Sequence, residues 1–373
     1  MRNEVTKNPV KKQMIYSAGF LHAESADPND IMQKNIWQTT KHPILALAPM
    51  AGYTDPAFRV MCLKNGADIV YTEMISVEAL WRKNKKTLAM LKLLPSEKNV
   101  ILQLFGNKPE SFEKALKIIN SSFCRPGESQ DPETSKTRFW IKSGMTIKKL
   151  VGIDINFGCP AHKVFKTGAG AALMNNKKLA REIIKTVLEN TNLPISIKIR
   201  SQVKNVSAIE FINYIKDLSI SAVMIHGRSL KQGFAGEIDY EMIKNIKKLL
   251  PNIPVLTNGG IYTPADAKIM LTKTNADGLG IARGAWGRPW IFSQCCHPDD
   301  SDGSQRRRDP VANWKFVRKQ MLAHAKLFLK YNDNLIPLRK HLIHYTKGLK
   351  NASELRQKMI KVETIKELEK LGK

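Results

Sequence analysis

Acidic residues are the scarcer charged class in this chain. Across 373 residues, 33 Asp and Glu face 60 Lys and Arg, a net charge of +27. Such an excess does not specify a fold, but it favours polyanionic partners. Long apolar runs are also missing. None approaches the roughly 18 residues that cross a bilayer. The opening Met1-Arg2-Asn3-Glu4-Val5-Thr6-Lys7 carries charge where a secretory signal needs an apolar core. A soluble, intracellular protein with no membrane partner is the expectation. Cysteine is sparse. Cys62, Cys124, Cys159, Cys295 and Cys296 form no C-x-x-C pair and no ligand-spaced group, which argues against a structural zinc or a disulfide framework. His42, His162, His226, His297, His324, His341 and His344 show no metal spacing with nearby carboxylates, so no metal is expected. G-x-S-x-G, H-E-x-x-H and the P-loop pattern are absent too, which removes three common enzyme classes.

What is present is a repeating alternation. Short apolar runs at 44–48, 69–72, 100–104, 152–155, 195–199, 222–225, 254–256 and 276–281 are separated by amphipathic stretches such as 175–189, 208–218, 240–250 and 264–271. Asp55 before Pro56, Lys108 before Pro109 and Thr263 before Pro264 mark helix starts. Eight strand–helix units in about 240 residues predict an α/β fold, the TIM (β/α)8 barrel, which typically takes about 250. A doubly wound open sheet is the alternative, weakened because no G-x-G-x-x-G follows the first strand.

Residues 1–35 lack a sustained period and read as an arm ahead of a barrel spanning 36–296. Within the barrel, 121–147 is rich in Pro, Ser and charge. It reads as an inserted surface loop on the face away from the strands' carboxyl ends. A polar linker, 297–309, leads to an all-helical second domain, 310–373, with helices expected at 311–331, 335–347 and 352–370. Residues 306–373 hold 18 basic and 6 acidic side chains, nearly half of the net charge. Solvated lysine-rich helix faces explain that without a partner, so charge by itself only modestly favours nucleic acid.

In a barrel of this type functional groups stand just past the carboxyl ends of the strands. Those positions hold Pro49-Met50-Ala51-Gly52, Gln103, Asn156, Cys159, His226-Gly227-Arg228, Asn258-Gly259-Gly260 and Ala282-Arg283-Gly284, and strand five carries Lys198 inside an apolar run. Taken singly, His226 reads as a core histidine, Gln103 as a turn cap, and Met50, Met74 and Met174 as packing. The glycine-bearing loops seven and eight are more specific as a pair, because such loops commonly bind phosphate on exposed backbone N–H groups. A phosphate there, with Lys198 and Gln103 reaching towards a ring, describes a flavin mononucleotide pocket in which the lysine stabilises an anionic reduced ring. Cys159 follows the strand Gly152-Ile153-Asp154-Ile155-Asn156 on a tight turn closed by Gly158 and Pro160. A thiol with a pKa near ~8.5 stays mostly protonated at neutral pH, so it can donate a proton as well as attack. An isolated cysteine is more often a small buried hydrophobe; these neighbours favour chemistry.

The same stretches resemble a known family, the tRNA-dihydrouridine synthases, and most of all its bacterial branch. The resemblance is carried by Leu47-Ala48-Pro49-Met50-Ala51-Gly52-Tyr53-Thr54-Asp55, Tyr71-Thr72-Glu73-Met74, Gln103-Leu104-Phe105-Gly106 and Asn156-Phe157-Gly158-Cys159-Pro160-Ala161-His162-Lys163-Val164. It continues in Gly168-Ala169-Gly170, His226-Gly227-Arg228, Asn258-Gly259-Gly260-Ile261 and Ala282-Arg283-Gly284-Ala285, and more weakly in Pro337-Leu338-Arg339-Lys340-His341 and Leu355-Arg356. What it implies is an FMN barrel with a helical tRNA-binding domain. NADPH reduces the flavin, hydride passes to C6 of a tRNA uracil, and the motif cysteine protonates C5. Carried over by position, Cys159 is the acid. Pro49, Met50, Ala51, Gln103, Lys198, His226, Asn258, Gly259, Gly260, Ala282 and Arg283 contact FMN, while Asn156, Lys163 and Arg228 lie near the extruded base. The chemistry is coherent: hydride addition at C6 demands an acid at C5, and the base must leave its stack to reach a flavin. The competing class is an FMN barrel acting on a free pyrimidine or enone, which has no need of a basic tail. A non-catalytic RNA-binding barrel has no need of Cys159 or Lys198. A cytoplasmic monomer is expected.

Overall fold

The computed structural model describes residues 35–121, 150–295 and 313–371. The N-terminal arm, the insert and the linker lie outside the described residues but for Asn35 and Ser121. Eight parallel strands form a closed ring: β1 (Ile44–Leu47), β2 (Ile69–Tyr71), β3 (Val100–Phe105), β4 (Leu150–Asn156), β5 (Ile195–Arg200), β6 (Ala222–His226), β7 (Val255–Asn258) and β8 (Gly278–Ile281). Each pairs with the next, and β8 pairs back onto β1. The ring is the expected barrel and rules out an open sheet.

Period-two alternation sorts the side chains of each strand between two environments. Val100, Leu102 and Leu104 of β3, and Ile195, Ile197 and Ile199 of β5, pack outward against the surrounding helices. Ile44, Ala46, Tyr71, Ile101, Ala222, Met224 and Leu256 fill the interior, joined by Trp37 of the short helix Ile36–Thr39. Higher up, the same inward positions become polar: Gln103, Asp154, Asn156, Ser196, Lys198, His226 and Asn258. The lysine in an apolar run is therefore an inward residue on a strand whose isoleucines face out.

The helices of the outer layer include α1 (Pro56–Lys64), α2 (Pro109–Ser121), α3 (Lys177–Glu189), α4 (Ala208–Ile215), α5 (Tyr240–Leu249) and α6 (Pro264–Thr274). Asp55 caps α1 by accepting from Phe58 N–H at 3.1 Å, and Thr263 with Asp266 forms a capping box on α6. No helix among the described residues is long and apolar enough to cross a membrane.

The C-terminal segment contributes α7 (Trp314–Phe328), α8 (Arg339–Tyr345), α9 (Ala352–Met359) and α10 (Ile365–Lys370). One helix was expected over 352–370, but two form. Thr364 caps the second by accepting from Glu367 N–H at 3.3 Å. Carbonyls between them are drawn sideways: Arg339 Nε donates to Val362 O at 2.8 Å and Leu335 N–H to Glu363 O at 3.1 Å. Val317, Met321, Leu338, Leu342, Met359 and Leu368 share one apolar cluster with Ala57, Val60 and Met61 of α1. The segment thus completes its core against the barrel.

That junction also holds a buried polar group and corrects the expectation from histidine spacing. Asp55, His324 and His341 come together with possible ligand atoms all within 4.8 Å of one another. They belong to the cap of α1, to α7 and to α8, so no local spacing could announce them. Their contacts are hydrogen bonds. His341 Nε2 lies 2.9 Å from Asp55 Oδ2, and Tyr331 O–H donates to Asp55 Oδ1 at 2.8 Å. His324 Nδ1 is 3.1 Å from the Tyr345 hydroxyl. Burial by itself would raise the Asp55 carboxyl, but the hydrogen bond and charge of His341, helped by His324 and Tyr331, hold it well below the usual range. Burial, then the charge of His341, pushes His324 down to about 3, so its ring is neutral.

Candidate active site

A cavity of about 590 Å³ opens at the carboxyl ends of the strands, a size typical of cofactor sites. Every residue that the resemblance marks for the flavin lines it, and so do Cys159 and Asn156. Lys163 and Arg228 are not brought into the wall. Lys163 is exposed on the short helix His162–Lys166. Arg228 turns under the neighbouring loop, where its Nε donates to Gly236 O at 2.8 Å. Met174 is buried packing as expected, but Met50 and Met74 line the cavity. Met74 gets there because β2 stops at Tyr71, three residues earlier.

The thiol sits on a turn that Asn156 builds. Asn156 Oδ1 accepts from Gly158 N–H at 3.0 Å and from Cys159 N–H at 2.8 Å, an Asx-type turn at the end of β4. Burial pushes the Cys159 thiol up, against a backbone hydrogen bond at Ala161 and the charges of Arg200 and Lys198. The group is therefore a proton-bearing thiol at neutral pH, suited to act as an acid.

Arg200 closes β5 and carries no functional signal in the sequence. It is 2% exposed. Its Nε donates to Gly158 O at 2.8 Å, and its Nη1 donates to Ser229 O at 3.1 Å and to Gly233 O at 3.0 Å. One guanidinium thereby ties the thiol's turn to the loop after β6. That loop carries Phe234, 57% exposed at the cavity mouth with the Arg283 guanidinium 4.6 Å from its ring centre.

Across the cavity, Lys198 Nζ donates to Asn258 Oδ1 at 3.0 Å, and Asn258 Nδ2 donates to Gly280 O at 2.6 Å. Burial, then repulsion from Arg200, lowers Lys198 to about 8, while Asp154 and Cys159 pull the other way. Burial and four nearby cations depress His226 far below its ordinary value, leaving it neutral. Beside it Gly259 and Gly260 adopt φ of +106° and +72°. A Cβ at Gly259 would meet the His226 ring at 2.7 Å. Only glycine lets the backbone pass that close in this conformation.

The rim joins barrel to helical segment. Tyr53 stacks on Trp286 at 4.2 Å, and Trp286 faces His344 of α8 at 4.8 Å. Lys340 Nζ lies 5.8 Å from the Tyr53 ring centre and Lys347 Nζ 5.7 Å from that of Tyr262. Tyr53, Tyr262 and Trp286 follow strands one, seven and eight, a placement the sequence offers. Nothing in the sequence signals Phe234 or the reach of α8.

The family model for dihydrouridine synthase (Dus) matches residues 46–125 and 143–372, and the gap falls inside the 121–147 insert. The chain is 33% identical over 321 residues to tRNA-dihydrouridine synthase B of Vibrio parahaemolyticus, covering 84% of this chain and 89% of that one. Identity is 35% over 257 residues with tRNA-dihydrouridine synthase B of Yersinia pestis, covering 68% and 71%. With the probable tRNA-dihydrouridine synthase of Rickettsia bellii it is 32% over 320 residues, covering 84% and 88%.

Proposed function

The chain belongs to the dihydrouridine synthase family of enzymes, and on that premise we propose that it reduces uridines of tRNA to 5,6-dihydrouridine with FMN as cofactor and NADPH as reductant. The observation that carries the reading is the protonated Cys159 thiol, held on a stiff turn in one cavity with a half-buried lysine and a glycine-lined loop.

The residues present fit FMN. The tight backbone at Gly259 and Gly260, with the Arg283 guanidinium, offers donors for a phosphate. Lys198 and Gln103 offer a cation and an amide to the pyrimidine end of a flavin, and Met50 and Ala51 an apolar wall. FMN, when bound, supplies the hydride that adds to C6 of the uracil. Cys159 delivers the proton from Sγ to C5, which completes addition across the C5=C6 bond. The charges of Arg200 and Lys198 favour the thiolate left behind until solvent reprotonates it.

A uracil reaches this depth only by leaving its stack. The aromatic and basic rim of Tyr53, Trp286, His344 and Lys340 suits the displaced nucleotide and its phosphates. On this reading 36–296 is the catalytic part, 310–373 the tRNA-binding part, and the work is done in the cytoplasm. A reductase of free pyrimidines has no use for such a rim. The test is to map dihydrouridine in tRNA from cells with and without the gene, alongside the absorbance of the purified protein. A yellow protein and one or more dihydrouridines lost with the gene are expected. A colourless protein that takes up no FMN, or an unchanged map, contradicts the proposal.

A further inference from the structure

Asp154 is fully buried inside the barrel and takes no part in the steps above. Its carboxylate accepts from Gln103 Nε2 at 2.7 Å and from Ser196 Oγ at 2.7 Å. Gln103 Oε1 in turn accepts from Asn156 Nδ2 at 2.9 Å. The direction of this chain can be read from its far end. The backbone N–H groups of Gly158 and Cys159 can only donate, so the Asn156 atom that meets them is its oxygen. The Asn156 NH2 then faces Gln103 and needs an acceptor. Gln103 must supply its oxygen, which turns its own NH2 towards residue 154. A carboxylate, an acceptor at both oxygens, is the group that closes the chain without ambiguity. An amide at 154 can show Gln103 either its oxygen or its NH2, so it no longer enforces one direction; the reversed chain, which a carboxylate forbids, sets the NH2 of Asn156 against the N–H groups of the turn.

We infer that Asp154 is a positioning residue for Cys159, fixing the turn that presents the thiol through the orientation of Gln103 and Asn156. The inference deepens the proposed function and rests on it. Burial in a low-dielectric interior makes both the satisfied chain and its disruption count for more than they would at a surface.

The test reads the turn without tRNA, NADPH or turnover. The full-length protein, with bound flavin removed from wild type and variants alike so that the flavin contact of Gln103 does not enter, is alkylated with iodoacetamide, and modification is followed on the peptide carrying Cys159. Asp154→Asn should be alkylated roughly fivefold faster or more, the factor that one ordinary hydrogen bond is worth. Adding Gln103→Glu to Asp154→Asn puts an acceptor back in front of Asn156 and keeps the number of carboxyl groups. The double variant should return to within about twofold of wild type. Rescue of this kind is not expected of a residue that merely fills space. Wild-type alkylation of Asp154→Asn, or a double variant as fast as the single one, overturns the inference. If Asp154→Asn does not fold, the double variant decides: a rate near wild type supports the relay and a fast one refutes it. Unchanged dihydrouridine maps together with this alkylation pattern would remove the proposed function and leave the relay standing.

Discussion

Asp55→Ala removes a carboxylate that performs three tasks where α1 meets the helical segment. It caps α1 through Phe58 N–H, accepts from the Tyr331 hydroxyl, and pairs with the fully buried His341. Loss of the cap costs about 1 kcal/mol. Leaving the buried His341 ring and the Tyr331 hydroxyl without their acceptor costs about 1–3 kcal/mol each. With the cap, the total is about 3–7 kcal/mol. Asp55→Asn keeps the cap and the Tyr331 contact but changes the atom facing His341, so it should lose only about 1.5–3 kcal/mol. Urea unfolding of both variants, followed by circular dichroism, measures the difference. The pH dependence is a second check. The folded Asp55 carboxyl lies below its unfolded value near ~3.9, so its contribution is complete above that pH and is lost as pH falls through the folded value. Asp55→Ala should therefore lose less stability than wild type as the solution is taken below about pH 4. Because α8 carries both His341 and His344, the same variant should loosen the rim and weaken tRNA binding. An Asp55→Ala protein with the wild-type midpoint at pH 7 and the wild-type acid profile would mean that Asp55 does not hold this junction together.

Three other outcomes are expected. FMN affinity should fall as pH rises through about 8, where Lys198 loses its charge, and Lys198→Ala should abolish that dependence; flavin fluorescence titrations from neutral to alkaline pH decide it. Arg200→Lys keeps a charge but cannot span carbonyls of two loops. Its kcat should drop roughly 10- to 100-fold with FMN retained, and a wild-type kcat would count against the clamp. Lys340→Glu and Lys347→Glu should each lower the slope of log affinity against log salt by about one. An unchanged slope in filter binding puts the tRNA elsewhere.

What could be read from the sequence was local. The alternation in Ile195-Ser196-Ile197-Lys198-Ile199-Arg200 carries both a strand and its orientation, because isoleucine faces helices and the polar residues face inward. The strand-end motifs located the cavity for the same reason: in a closed parallel barrel their residues have one place to converge. Contacts made by distant segments were not legible. Asp55 and His341 are 286 positions apart, and neither is unusual alone. The break at Thr364 depended on Arg339 and Leu335 reaching across to the carbonyls before it. Arg200 looked like the end of a strand because its three acceptors are backbone carbonyls, which leave no mark on residue identity. Lys163 and Arg228 rest on the resemblance alone, as neighbours of an extruded base; the first stands exposed and the second turns under the loop after β6.

The most direct measurement is turnover by Cys159→Ala loaded with FMN, reduced by NADPH and mixed with tRNA. FMN should be retained and still reduced, while dihydrouridine formation falls by a factor on the order of 10² to 10⁴, the usual worth of a general acid. Dihydrouridine formed at the wild-type rate would mean that another group supplies the proton, and would contradict the role given to Cys159.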